Sequence, residues 1–312
     1  MTWHLVTTDY PPREGGVATW AEGTASALRA AGENVVVYAP RRLGAEGVTG
    51  LWGRAWARWA HVWVASQVLP RVRGGDHVLA ATWPLATLLV GRTALSVAFH
   101  GSDLTRPPLT TGLDRVKQGA RLFPVSRFLG GLLAAPHTVL PMPIRPATPA
   151  RPGDDLLAIA RLGPLKGVDH AIRLAARSGR GITIVGDGPA RADLEALARQ
   201  LQVRARFTGR LPHDQIPWDG HHAAVLLSQV DADGTGAEGL GLVLLEAAAR
   251  GIPTVGSHTG GVPEVAMRVI QASDPLPHFG PEARDEALAF LTARHSPELQ
   301  VAALLNGLHR PP

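Results

Sequence analysis

Cysteine is missing from all 312 positions, which excludes a disulfide framework, thiolate catalysis and any metal site with a cysteine ligand. Lysine is nearly missing: of 31 basic residues, only Lys117 and Lys166 are lysine. No run approaches the ~18 uncharged apolar residues of a membrane span. The opening Met1-Thr-Trp-His-Leu-Val-Thr7 lacks the basic n-region of a secretory leader. A cytoplasmic protein is the expectation. There is also no recognition helix, zinc spacing or platform of stacked aromatics, so nucleic acid is not an expected partner.

What charge there is lies unevenly. Residues 1–150 hold 15 Lys/Arg against 8 Asp/Glu, a net of +7, whereas residues 151–312 hold 16 against 18, a net of −2. A basic first half is compatible with an acidic acceptor, or with peripheral contact at the anionic inner face of a membrane. The length points to two domains, since single cores stop growing near ~250–300 residues.

Short apolar runs alternate with helical patterns along the chain, the signature of parallel α/β architecture. In the first half, strands are expected at 3–7, 34–39, 77–81, 95–99, 121–125 and 138–140, with helices at 17–30, 52–69 and 126–134. Then come five prolines in the twelve residues Pro141–Pro152, a composition that reads as an interdomain linker. The pattern restarts with strands at 156–160, 182–185, 205–208, 223–227 and 254–256, and helices at 168–177, 190–201 and 242–250. Trp52, Trp56, Trp59 and Trp63 share one narrow helical face, with Arg54, Arg58 and His61 opposite. A helix between two core strands must bury one apolar face on the sheet, so these tryptophans are read as core. The expected domains are 1–142 and 153–312, joined by 143–152. Ligands of doubly wound sheets bind beyond the carboxyl ends of the strands.

Several strand ends there carry residues suited to chemistry. The first strand runs into Gly15-Gly16, where backbone N–H groups can face a diphosphate before a helix opens. Phe99-His100-Gly101-Ser102-Asp103 ends a buried strand, which places His100 to contact a ligand, although a lone histidine is also an ordinary structural residue. Arg161-Leu-Gly-Pro-Leu-Lys166-Gly167 brings two cations onto one loop beside a helix start. Arginine's fixed fork and lysine's compact charge both suit a phosphate leaving group. The rarity of lysine draws attention to Lys166; a solvated basic loop is the alternative. Val185-Gly186-Asp187-Gly188-Pro189 lacks the third glycine of a dinucleotide fingerprint, so a nicotinamide enzyme is not expected and the turn reads as structural. Asp231-Ala-Asp233 spells a metal-binding triplet, read here as coincidence in a polar loop.

Two glutamates eight positions apart give the sharpest signal: Glu238-Gly-Leu-Gly-Leu-Val-Leu-Leu-Glu246, followed by Gly260-Gly-Val-Pro-Glu264. Gly239 and Gly241 allow close approach of backbone to a phosphate at a helix start. Glu238 sits in the loop, where a carboxylate can accept from sugar hydroxyls, and Glu246 lies far enough along the helix to meet a ribose diol. Alone, the segment also fits a solvated acidic loop followed by one buried glutamate.

Together these pieces resemble the retaining glycosyltransferases of family 4 (glycosyl transferases group 1), with the GT-B fold. The matching items run in the family's order from residue 9 to residue 265: the Gly-Gly loop, His-Gly-x-Asp, Arg-x4-Lys-Gly, Val-Gly-Asp-Gly-Pro, Phe207-Thr-Gly-Arg-Leu211, Glu-x7-Glu and Gly-Gly-Val-Pro-Glu. The resemblance implies two Rossmann-like domains facing each other across a cleft. It implies a diphosphate held by Arg161 and Lys166, with the backbone of Gly15, Gly16, Leu240, Gly241 and Leu242. It assigns Glu238 and His100 to the donor sugar, Glu246 to the ribose, and the loop at Arg210 and Leu211 to the border of the nucleobase. The chain departs from the family in a short first domain, in Met267–Pro275 replacing a Gly-rich stretch, and in a tail that ends soon after 298–308. Whether the last helix crosses back to the first domain, as the family's does, is left open.

The implied reaction moves a hexose-type sugar from a nucleotide diphosphate to a hydroxyl of a glycan, lipid-linked or small-molecule acceptor, with retention and without metal or cofactor. The alternatives are a catalytically weak homologue acting as a binding subunit, and a sugar-nucleotide epimerase of the same fold.

Overall fold

The computed structural model describes residues 1–13, 15–40, 48–51, 60–105, 112–231 and 236–308. They divide into two compact units, Met1–Pro143 with the segment from His295 onward, and Ile144–Arg294. The first unit contains β1 (Thr2–Val6), α1 (Gly16–Ala30), β2 (Asn34–Pro40), β3 (Thr49–Leu51), α2 (Ala60–Val68), β4 (His77–Ala80), α3 (Trp83–Ala86), β5 (Ala94–Phe99), α4 (Ser102–Thr105), α5 (Leu113–Gly119), β6 (Arg121–Pro124) and α6 (Arg127–Leu133). The second contains β7 (Pro152–Ile159), α7 (Val168–Ser178), β8 (Ile182–Val185), α8 (Arg191–Gln200), β9 (Ala205–Gly209), β10 (His221–Leu226), α9 (Leu242–Ala248), β11 (Thr254–Ser257), β12 (Arg268–Ile270) and α10 (Ala283–Arg294). The last helix, α11 (Pro297–Leu308), belongs to the first unit.

Each unit holds one six-stranded sheet, ordered β3-β2-β1-β4-β5-β6 and β12-β11-β10-β7-β8-β9, with every pairing parallel. Numbered from its own first strand, each has the order 3-2-1-4-5-6 of a doubly wound nucleotide-binding sheet. The expected α/β fold of two Rossmann-like domains is what the chain adopts. A strand covered on both faces has no polar side, which is why β5 and β8 are apolar but for Ser96 and Thr183 and are buried nearly throughout. Helices announce themselves by spacing instead. α7 buries Val168, Ala171, Ile172 and Ala175 on one stripe and stops at Gly179 in the left-handed conformation. The Ser126 hydroxyl caps α6 by accepting from the Leu129 N–H at 3.2 Å.

Four local expectations change. The segment 138–140 forms no regular strand, although Thr138 and Leu140 donate their N–H groups to Leu122 and Pro124 of β6. Prolines at 136 and 141 bracket it and limit the pairing. β3 and β12 are added as three-residue edge strands, too short to show a period. The proline-rich linker is not free along its length: Ala147 and Ala150 donate to Ala249 and Arg250, and Pro152 opens β7. Proline at the first residue of a strand loses no ladder bond.

The tail is the largest change. The limits 153–312 expected for the second domain do not hold, because 295–308 packs in the first unit. α11 buries Gln300, Val301, Leu304 and Gly307 at helical spacing and lies against α1. A Cβ at position 307 would press on the Phe123 ring, so Gly307 lets the helix end sit close to β6. Arg121 Nη2 donates to the Leu308 carbonyl at 3.0 Å, and the Met142 N–H donates to His295 Nδ1 at 3.1 Å. Of the tryptophan face, 52, 56 and 59 lie outside the described residues.

Candidate functional site

The strand order of the second unit's sheet reverses between β7 and β10, its two central strands, and the loops leaving their carboxyl ends carry the sequence-derived residues. After β7, Arg161 is exposed, and Pro164–Lys166 forms a 3-10 turn that Gly167 joins to α7. The turn after β8 props this loop from one side: Leu162 donates to the Asp187 carbonyl at 2.9 Å, and Ala190 donates to Leu162 at 3.1 Å. From the other side, Gln229 beyond β10 donates its N–H to Leu165 at 2.9 Å and its side-chain amide to Asp169 at 3.2 Å. The cations are therefore carried on a loop clamped at both flanks.

Glu238 stands on the segment between β10 and α9. Gly261 donates to its carbonyl at 2.9 Å, and Gly260 packs so closely on it that a Cβ would overlap that oxygen. Gly-Gly at 260 and 261 thus fixes the height of the Glu238 backbone. Gly241, in the left-handed region, precedes the first residue of α9. Lys166 and Glu238, 72 residues apart in sequence, meet in an ion pair, with Lys166 Nζ donating to Glu238 Oε2. Their side chains are 31% and 18% exposed, so the pair is accessible from solvent and a ligand can divide it. One point then offers a cation for a phosphate and a carboxylate for a hydroxyl.

Glu246 is the fifth residue of α9, just over one turn into the helix. His213, in the 3-10 turn His213–Gln215 after β9, places Nε2 3.4 Å from Glu246 Oε1. Arg250 donates Nη1 to the Glu246 carbonyl at 2.8 Å and stacks 4.2 Å over the Trp218 ring. Burial lowers the Arg250 pKa from its ordinary value. Leu211 is partly buried and Arg210 exposed just before this turn. Sequence reasoning missed His213; its position two residues past Leu211 was the available signal. Asp231 lies in the loop after β10, and Asp233 is outside the described residues.

His100 follows β5 in the first unit. Burial holds its pKa down at about 4, and its Nε2 is buried with no hydrogen-bond partner among the described residues. The Trp20 ring meets it edge-on at 4.7 Å. Asp103 shapes the turn: its Oδ1 accepts from the Gly101 N–H at 2.8 Å and the His100 N–H at 3.1 Å. Burial nevertheless raises the Asp103 pKa to about 6, those two bonds opposing it. Gly15 and Gly16 are exposed at the start of α1.

These shifts predict an unusual pH response. Asp103, raised in the folded state, contributes stability that is complete below ~3.8 and lost as pH rises through about 6. His100 and the buried His77, both lowered to about 4, contribute stability that is present above ~6.5 and lost as pH falls through 4. The opposing slopes overlap between pH 4 and 6. In Asp103→Asn the carboxyl slope is gone, so stability should climb more steeply with pH than in the wild type. The difference between the two curves should change by about 2 kcal/mol across the window. Urea unfolding at intervals from pH 4 to 7 reads this directly, and parallel curves would contradict it.

Comparison with known proteins adds a family to this geometry. Residues 146–268 match the model of glycosyl transferases group 1. A GDP-mannose-dependent alpha-(1-6)-phosphatidylinositol monomannoside mannosyltransferase of Mycolicibacterium smegmatis is 29% identical over 316 residues, covering 84% of this chain and 82% of that protein. A glycosyltransferase involved in avilamycin A biosynthesis has the same fold, with a TM-score of 0.66 at 21% identity over 98% of this chain and 92% of its own. So does Anabaena HepE in complex with UDP and glucose, with a TM-score of 0.68 at 16% identity over 97% of this chain and 99% of its own. The matched region holds Arg161, Lys166, Glu238 and Glu246, and the chain is similar to group 1 glycosyltransferases of the GT-B fold.

Proposed function

We propose that the protein transfers a hexose, with mannose from GDP-mannose as the leading donor, to a hydroxyl of a lipid-linked or other glycan acceptor, retaining the anomeric configuration. The observation that carries the reading is the Lys166–Glu238 pair beyond the carboxyl ends of β7 and β10, with Glu246 on the helix α9 that follows Glu238. The donor is supported by the mycolicibacterial relative, which is GDP-mannose-dependent.

In this reading Arg161 and Lys166 take the diphosphate, assisted by the backbone of Leu240, Gly241 and Leu242. Glu238 accepts from hydroxyls of the donor sugar. Glu246 takes the ribose diol, and Arg210 and Leu211 border the base. No side chain of this set is assigned as a nucleophile. The bond from the anomeric carbon to the leaving phosphate breaks as the acceptor oxygen bonds to the same face, and a departing phosphate oxygen receives the acceptor proton. The protein contributes position and stabilisation of phosphate charge. No metal or cofactor is assigned a role.

Melting with GDP, UDP, ADP and NAD tests the reading. At ~100 times its dissociation constant a ligand adds ~2.7 kcal/mol, a shift of several degrees. GDP should give the largest shift, and Lys166→Ala should lose most of it. Stabilisation by UDP alone would reassign the donor; no shift with any diphosphate would count against the whole proposal.

A further inference from the structure

The His213–Glu246 contact is not required by the fold. Glu246 is the fixed partner: its side chain is 14% exposed, and Arg250 one turn on holds its carbonyl. His213 is the more exposed one, 51% exposed on a short turn, with the edge of the Trp218 ring beside it at 6.3 Å between centroids. The charged groups on the surrounding elements include Glu246 on α9 and Arg250 in the turn after it, and Arg210 and Asp214 on the segment of His213 itself. Asp219, beyond Trp218, is engaged by Arg151 at 2.9 Å. Glu246 is thus a carboxylate in contact with the imidazole, 3.4 Å from its Nε2.

We infer that His213 is a positioning residue which latches the Glu246 carboxylate in the absence of nucleotide and must release it to the ribose. The inference rests on the ribose role proposed for Glu246. A carboxylate oxygen that pairs with an imidazolium gives up a charge-assisted bond when it turns to a diol; with a neutral imidazole it gives up only an ordinary hydrogen bond. Histidine changes charge between about pH 5 and 8. The latch is therefore tight in acid and weak above neutrality, and nucleotide affinity falls with falling pH because of it.

Calorimetric titration of the full chain with GDP at pH 5.5 and pH 8, for wild type and His213→Gln, tests this. Ionisation of the GDP phosphates affects both proteins alike, so the ratio of their affinities is the quantity read. The variant should bind GDP roughly three- to fivefold tighter than wild type at pH 5.5, and equally at pH 8. With 2′,3′-dideoxy-GDP, which has no diol to draw Glu246 away, the ratio should stay near one at both pH values. Identical pH profiles would overturn the latch. Weaker binding by the variant at every pH would overturn it too, making His213 a direct ligand. If neither protein binds GDP at any pH, the donor assignment fails first and takes the latch with it.

Discussion

Lys166→Ala is expected to lower sugar transfer by roughly 10²-fold, the scale of losing one electrostatic stabiliser, and Glu238→Ala by a similar factor. The two variants should nonetheless part company in binding GDP alone. In the structure Lys166 is neutralised by Glu238, so a diphosphate must take the ammonium away from a carboxylate. Removing Lys166 deletes the phosphate ligand and leaves a half-buried carboxylate facing the incoming anion. GDP affinity should fall sharply. Removing Glu238 releases the ammonium, so GDP should bind at least as tightly as to wild type while transfer, which needs the sugar held, stays depressed. The double variant should be no worse in transfer than about the poorer single one, since groups acting as a unit are not additive. Calorimetry with GDP and a transfer assay on the same four proteins check this. Parallel loss of GDP binding in both single variants would separate Glu238 from the sugar and make it a phosphate-loop scaffold.

That contrast also shows what the sequence could and could not convey. Most strands of the second unit were legible because buried parallel strands are short, largely apolar runs; Ile182–Val185 has the limits its pattern implies, whereas the three residues of β12 showed no pattern. Lys166 stood out by rarity, and Glu238 with Glu246 by their spacing in glycine context. That Lys166 and Glu238 touch was not legible, because the contact depends on how two loops 72 residues apart are propped by Asp187, Gln229 and Gly261. His213 was silent for a related reason. A lone histidine in a polar turn has no periodic signature, and its meaning comes from Glu246 on another element. Asp103 was visible as a residue of a motif but not as the acceptor of two backbone N–H groups, a role set by the path of three residues. The destination of α11 was open because its apolar stripe shows that one face is buried, not which surface buries it; Gly307 against Phe123 and Arg121 on the Leu308 carbonyl answer that.

Gly167→Ala should be the most damaging single methyl group at the site. Gly167 has φ +61°, a conformation that costs an L-residue about 1 kcal/mol or more. A Cβ there would also fall on the Leu227 carbonyl, well inside the 3.0 Å that side-chain carbons respect, and both obstacles are backbone. Leu227 follows β10, a central strand, so it cannot yield without disturbing the sheet. The loop must move instead, carrying Lys166 away from Glu238 and straining the bonds made by Leu165 and Gln229. Conformational cost and overpacking together come to about 3–5 kcal/mol, a large part of the 5–15 kcal/mol typical of a folded protein. At about 2–4 °C per kcal/mol, the melting temperature of this unit should drop by roughly 10 °C. Gly163→Ala, four residues earlier on the same loop, is the control: its φ is −125° and a Cβ meets nothing within 4 Å. It should melt within a degree or two of wild type and keep its transfer activity. Scanning calorimetry of the two variants beside wild type decides the matter. Equal melting for Gly167→Ala and Gly163→Ala would show that the β10 end yields freely and that the phosphate loop is not built on it.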